Sequence, residues 1–81
     1  MARQLKGIKD KEVAQIIKNL GRNIKTAREA QKLTQQELAS RAGVAISTIW
    51  ELENECLEDF RFSTVSAVAN SLDMEILKLL S

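Results

Sequence analysis

Leu33-Thr34-Gln35-Gln36-Glu37-Leu38-Ala39-Ser40-Arg41-Ala42-Gly43-Val44-Ala45-Ile46-Ser47-Thr48-Ile49-Trp50-Glu51-Leu52-Glu53-Asn54 decides how this chain folds. It reads as two short helices joined by a tight turn. The first is expected over Gln35 to Ala42, with Thr34 as its N-cap. Glu37 stands at the third helical position, so hydroxyl and carboxylate can each satisfy an orphan backbone donor of the other's turn. Gly43 follows the last helical residue, where a left-handed conformation costs glycine nothing. The chain re-enters a helix near Ile46. Leu38, Ala39, Ala42, Val44, Ile49 and Leu52 supply the inward faces.

The residues on either side set the class. The chain has 81 residues, enough for one small domain and one modest core. Such a core is marginal alone, which makes a second copy of the chain a reasonable expectation. There is no proline, aromatic residues make up 4%, and no β-branched alternation appears, so an all-α fold is expected. Val13, Ile16, Ile17, Leu20, Ile24 and Ala27 recur at steps of three and four, one stripe of a helix placed at about Lys11 to Gln31. Gly21 lies inside it and is read as a bend or a break. A fourth helix is expected over Phe62 to Ser71, with Phe62, Val65, Val68, Ala69 and Leu72 inward. Asp73 is expected to cap a last helix of Met74 to Leu80. Residues 1–10 form a basic N-terminal segment, and 11–81 the domain.

The apolar runs are too short to span a membrane. Met1 to Gly7 holds charges without an apolar stretch, which argues against a signal peptide. Cys56 is the only cysteine, which fits a reducing cytoplasm and rules out an internal disulfide. The net charge of +1 hides a division. Residues 1–41 carry +6 and residues 42–81 carry −5. Nucleic-acid affinity is largely phosphate neutralisation, so the first half would supply most of it. Enzyme chemistry is poorly supported: there is no His, no Tyr, no glycine-rich phosphate loop and no metal-ligand cluster. No cofactor and no metal are expected.

Two helices in this arrangement make a helix-turn-helix, whose second helix enters the DNA major groove. The chain resembles the phage repressor and Cro (XRE-type) family of small bacterial and phage regulators from about Leu20 to Leu80. The resemblance is carried by Leu20-Gly21-Arg22-Asn23-Ile24-Lys25-Thr26-Ala27-Arg28, by Leu33-Thr34-Gln35 with Leu38-Ala39, by Gly43-Val44, by Ser47-Thr48-Ile49 with Leu52-Glu53-Asn54, and by Leu72-Asp73-Met74. It implies a five-helix, lambda-repressor-like domain, here with an N-terminally extended first helix. It also implies a sequence-specific DNA-binding regulator acting as a dimeric autorepressor. The alternative is an antitoxin that binds a toxin and represses its own operon. A third reading is an interaction module that has lost DNA binding.

By the same resemblance, Gln35 donates to a DNA phosphate and braces the recognition helix. Ile46, Ser47, Thr48, Trp50 and Glu51 meet bases or neighbouring phosphates. Thr34, Gln36 and Arg41 complete the expected DNA-facing set. Arg28 and Glu53 match a charged pair that ties the first helix to the end of the third. Independently of the family, a bidentate contact there would fix the recognition helix to its scaffold; otherwise the two are unrelated surface charges.

The chain departs from the family at Glu51, where relatives often carry Arg, Lys or Gln, and at Glu55, where they often carry Gly followed by basic residues. Here Glu55-Cys56-Leu57-Glu58-Asp59 is acidic. Either this connection is held away from DNA, or it serves a protein partner such as a toxin. Glu51 can accept from a cytosine amino group, and Ile46 can pack on a thymine methyl. Trp50 lies either against DNA or on its own scaffold.

Arg3, Lys6, Lys9 and Lys11 form either a DNA-tracking arm or a solvated tail. Cys56, among acids, is read as inert. Ile76, Leu77, Leu79 and Leu80 surround a short helix on several sides, which predicts a twofold homodimer through this end. Two recognition helices would then lie roughly 34 Å apart, facing a palindromic operator. The plainer reading is that this segment only closes the core.

Overall fold

A computed structural model describes residues 10–56 and 61–81. Among them are five helices and no strand. They are α1 (Asp10–Ala30), α2 (Gln35–Ala42), α3 (Ile46–Glu53), α4 (Phe62–Ser71) and α5 (Ile76–Leu80). The all-α, five-helix expectation holds.

The helix bounds follow from local chemistry. Thr34 caps α2: the Glu37 N–H donates to Thr34 Oγ1 at 3.0 Å, and the Thr34 N–H donates to Glu37 Oε1 at 2.8 Å. Gly43 ends α2 at φ 73, its N–H turned back to α2 carbonyls. Val44 N–H then donates to Ala39 O at 3.0 Å. These two bonds are a Schellman stop.

The same pair of bonds ends α1 and α4, and the longer of the two ends α3, with residues other than glycine in the left-handed position. Lys32 (φ 58) follows α1, Glu55 (φ 60) follows α3 and Asp73 (φ 59) follows α4. In each case the next N–H reaches back five residues: Leu33 to Arg28 O, Cys56 to Glu51 O and Met74 to Ala69 O. The left-handed region carries a steric penalty of about 1–2 kcal/mol for a residue with a Cβ. Asp73 is therefore the end of α4 and not the cap of α5. That helix starts at Ile76, with Glu75 at its N-cap and no side-chain cap bond.

Leu20 and Ile24 of α1, Leu38 and Ala39 of α2, Ile49 and Leu52 of α3, Val65, Val68 and Ala69 of α4, and Leu79 of α5 meet in one core. Leu33 and Leu72, in the connections, complete it. Phe62 does not join them. It is 61% exposed, because the first turn of α4 projects past the core.

Gly21 does not break α1. The helix runs through it, and the glycine is buried where α1 passes the end of α3. The described side chains from Lys11 to Asn19 are all exposed or half-buried, so the first turns of α1 lie at the margin of the core. Asn19 and Asn23, one turn apart on α1, donate to α5 carbonyls: Asn19 Nδ2 to Leu80 O at 3.3 Å, and Asn23 Nδ2 to Leu79 O at 2.9 Å. Gln31 Nε2 donates to Leu72 O at 2.9 Å. These amides satisfy carbonyls at the ends of short helices.

Candidate nucleic-acid interface

Ile49 and Leu52 face inward and are buried, which fixes the roll of α3 and turns its other residues outward. Ile46 and Trp50 are each 49% exposed. They stand one turn apart and form one ridge. Ser47 and Glu51 form the next ridge, both exposed. Thr48 is half-buried. Trp50 is thus partly on the scaffold and partly in solvent.

The end of α3 is locked from two sides. Arg28 Nε donates to Glu53 Oε2 at 2.7 Å, and Arg28 Nη2 donates to Glu53 Oε1 at 3.0 Å. The third guanidinium contact, Nη1 to Leu33 O at 2.8 Å, ties the same arginine to the α1–α2 connection. Gln35 Nε2 also donates to Glu53 Oε1, at 3.1 Å. One carboxylate therefore gathers α1, α2 and α3. Only 12% of the Arg28 side chain and 3% of the Glu53 side chain remain exposed. The hydrogen bond to Glu53 raises the Arg28 pKa, against the opposing effect of burial. Three donors meet at the Glu53 carboxylate and a fourth goes to Leu33 O, which keeps the pair satisfied where little of either side chain reaches solvent.

The start of α2 lies beside this knot. Thr34 and Gln36 are exposed, and Gln35 is half-buried through its bond to Glu53. Arg41 is exposed on the last turn of α2. Between Arg41 and Arg61 the sequence holds no basic residue. The outward face of α3 therefore carries apolar, hydroxyl and carboxylate groups and no cation.

The α5 set divides. Leu79 is fully buried in the chain's own core, which removes it from any interface between copies. Ile76 and Leu80 are half-buried and packed on that core. Leu77 alone points out, 74% exposed. The sequence could not separate them, because a five-residue helix shows less than two turns of pattern.

Lys11 is exposed at the start of α1, and Glu55 and Cys56 are exposed after α3. Arg3, Lys6, Lys9, Leu57, Glu58 and Asp59 lie outside the described residues. Among the described residues no group of three His, Cys, Asp or Glu side chains is placed to hold a metal ion. None of the helices there is long and apolar enough to cross a membrane.

Comparison with known proteins bears on this surface. A helix-turn-helix family matches residues 24–79. An uncharacterized HTH-type transcriptional regulator, y4dL of Sinorhizobium fredii (strain NBRC 101917 / NGR234), is 40% identical over 58 residues. That match covers 72% of this chain and 29% of the relative, so the chain spans less than a third of that protein. The biofilm master regulator SinR, solved in complex with DNA, is similar at 29% identity with a TM-score of 0.71. The similarity covers 76% of this chain and 98% of the SinR chain. A family match over more than half of the sequence, on five helices that place a capped α2 and an outward α3 where the motif requires them, shows that the chain belongs to the XRE-type helix-turn-helix family.

Proposed function

We propose that this chain is a DNA-binding transcriptional regulator that reads a specific double-stranded site with α3, acts as a twofold dimer, and represses the promoter it occupies. The observation that carries the reading is the knot at Glu53. Arg28 and Gln35 hold the end of α3 rigid. The outer residues Ile46, Ser47, Trp50 and Glu51 stay accessible. A helix fixed at its inner face and open at its outer one can enter a major groove without losing further freedom. The similarity to SinR, whose structure holds DNA, supports the same use.

In this reading Thr34, Gln35, Gln36 and Arg41 meet phosphate, and the +6 charge of residues 1–41 supplies the salt-dependent part of the affinity. The acids Glu51 and Glu55 limit how tightly DNA is held non-specifically. Leu77 contributes the exposed part of the dimer contact. A gel-shift with the region upstream of the chain's own gene, over a salt series, tests the whole. The expected result is a specific shift that weakens steeply as salt rises. Equal affinity for that region and for unrelated DNA at low salt would end the proposal.

A further inference from the structure

The outward face of α3 offers an unusual chemistry, and it narrows what kind of base that helix can read. Guanine, the base most often read specifically, is recognised by Arg or Lys. The sequence supplies neither from Ala42 to Phe60. What α3 presents instead is an apolar ridge, Ile46 and Trp50, each half-exposed. Beside it runs a ridge ending in Glu51, whose carboxylate has no hydrogen-bond or ion-pair partner among the described residues.

In the major groove an apolar side chain finds one apolar group, the C5 methyl of a pyrimidine. A carboxylate finds the N4 amino group of cytosine, the donor it can accept from. We infer that α3 is a pyrimidine reader: the Ile46–Trp50 ridge takes a C5 methyl, and Glu51 takes a cytosine amine next to it. The methyl comes from thymine or from 5-methylcytosine. In the second case the amine and the methyl sit on adjacent atoms of one base. This inference rests on the DNA reading above and adds the class of base.

The test starts by enriching binding sites from a random duplex pool with the full chain. The enriched site is then resynthesised with single changes that alter only the methyl. Deoxyuridine replaces each thymine, and 5-methylcytosine replaces each cytosine. Affinities are measured by anisotropy at one salt concentration. At one or two positions per half-site, loss of a thymine methyl is expected to weaken binding about fourfold, or gain of a cytosine methyl to tighten it about fourfold. The first result identifies thymine as the source and the second identifies methylated cytosine. In Ile46→Ala and Trp50→Ala the ratio between methylated and unmethylated duplex is expected to fall to about one, with the helical circular dichroism signal retained. Glu51→Gln is expected to move the neighbouring preference from cytosine to adenine. Ratios near one at every position for the parent chain would overturn the inference while leaving DNA binding standing. A pool that never enriches would overturn the DNA reading itself, and this inference with it.

Discussion

A Cβ built on Gly21 stands 2.5 Å from the carbonyl oxygen of Leu52 and 3.2 Å from that of Glu53. The scaffold helix and the end of the outward helix thus meet backbone to backbone. Two effects compete in Gly21→Ala. Helix propensity favours alanine by about 1 kcal/mol. Overpacking costs about 1–3 kcal/mol, and here the obstacle is main chain, which has no other rotamer to adopt. The clash wins. Gly21→Ala is expected to lose about 1 kcal/mol or more in urea denaturation, and a raised unfolding midpoint would contradict the close approach.

Arg28 and Glu53 give a second prediction. Removing either leaves the other charged in a site with little water, at a loss of about 3 kcal/mol. Arg28→Ala and Glu53→Ala are each expected near that value. The double variant should lose clearly less than the two single losses together, because neither charge is then stranded. Additive losses in a double-mutant cycle would show that the pair does not lock α3.

Acid should loosen the start of α2. The Thr34 backbone N–H, followed by its hydroxyl, holds the Glu37 carboxyl below its ordinary value of 4.5. A lowered carboxyl contributes stability that is complete above the unfolded value and disappears as pH falls through the folded one. Glu37→Gln removes that titration. Its stability is expected to change less than the parent's from about pH 5 downward. Parallel thermal-melt profiles for the two proteins would contradict the capping box as the source.

The strained helix stops point to gains. Glu55→Gly and Asp73→Gly relieve a left-handed residue that carries a side chain, at the cost of a freer unfolded chain. The balance is expected to favour glycine by about 0.5–1 kcal/mol at each position. Thermal melts of the two single variants check it. A loss at both sites would mean that those dihedrals are not held in solution.

Leu77 is the remaining test of assembly. Leu77→Lys should leave the fold intact, since this side chain is 74% exposed. It is expected to shift the chain from dimer to monomer in sedimentation equilibrium. An unchanged mass would move the contact away from α5.

Much of this architecture is legible in the amino-acid sequence, and the reasons are local. Thr34, Glu37 and Gly43 announce one helix from start to stop because capping involves neighbours in sequence. Family resemblance singles out Arg28 and Glu53 as partners, because 25 residues separate them, and side-chain chemistry adds that such a contact would be bidentate. Gln35 was expected to brace α3, but its bond to Glu53 depends on the tertiary fold. Phe62 was misread because spacing shows which face of a helix is apolar and not where the core stops. Asp73 was misread because an aspartate before a helix looks like a cap, while the same residue can also adopt the left-handed turn that ends the helix behind it. Gly21 reads as a bend or a break, while in the fold it marks a contact. Its meaning lay in Leu52, which the local pattern around Gly21 does not contain.

The position of Trp50 has a practical corollary. It is the sole indole in a chain without tyrosine, and it stands at the rim of the molecule and not in its interior. Intrinsic emission therefore comes from one half-exposed indole, and on denaturation it reports the loss of that residue's contact with its own scaffold. The same signal needs no label to report anything that covers the outer side of α3. Spectroscopists who follow this protein at 295 nm would be watching the surroundings of α3 and of no other element.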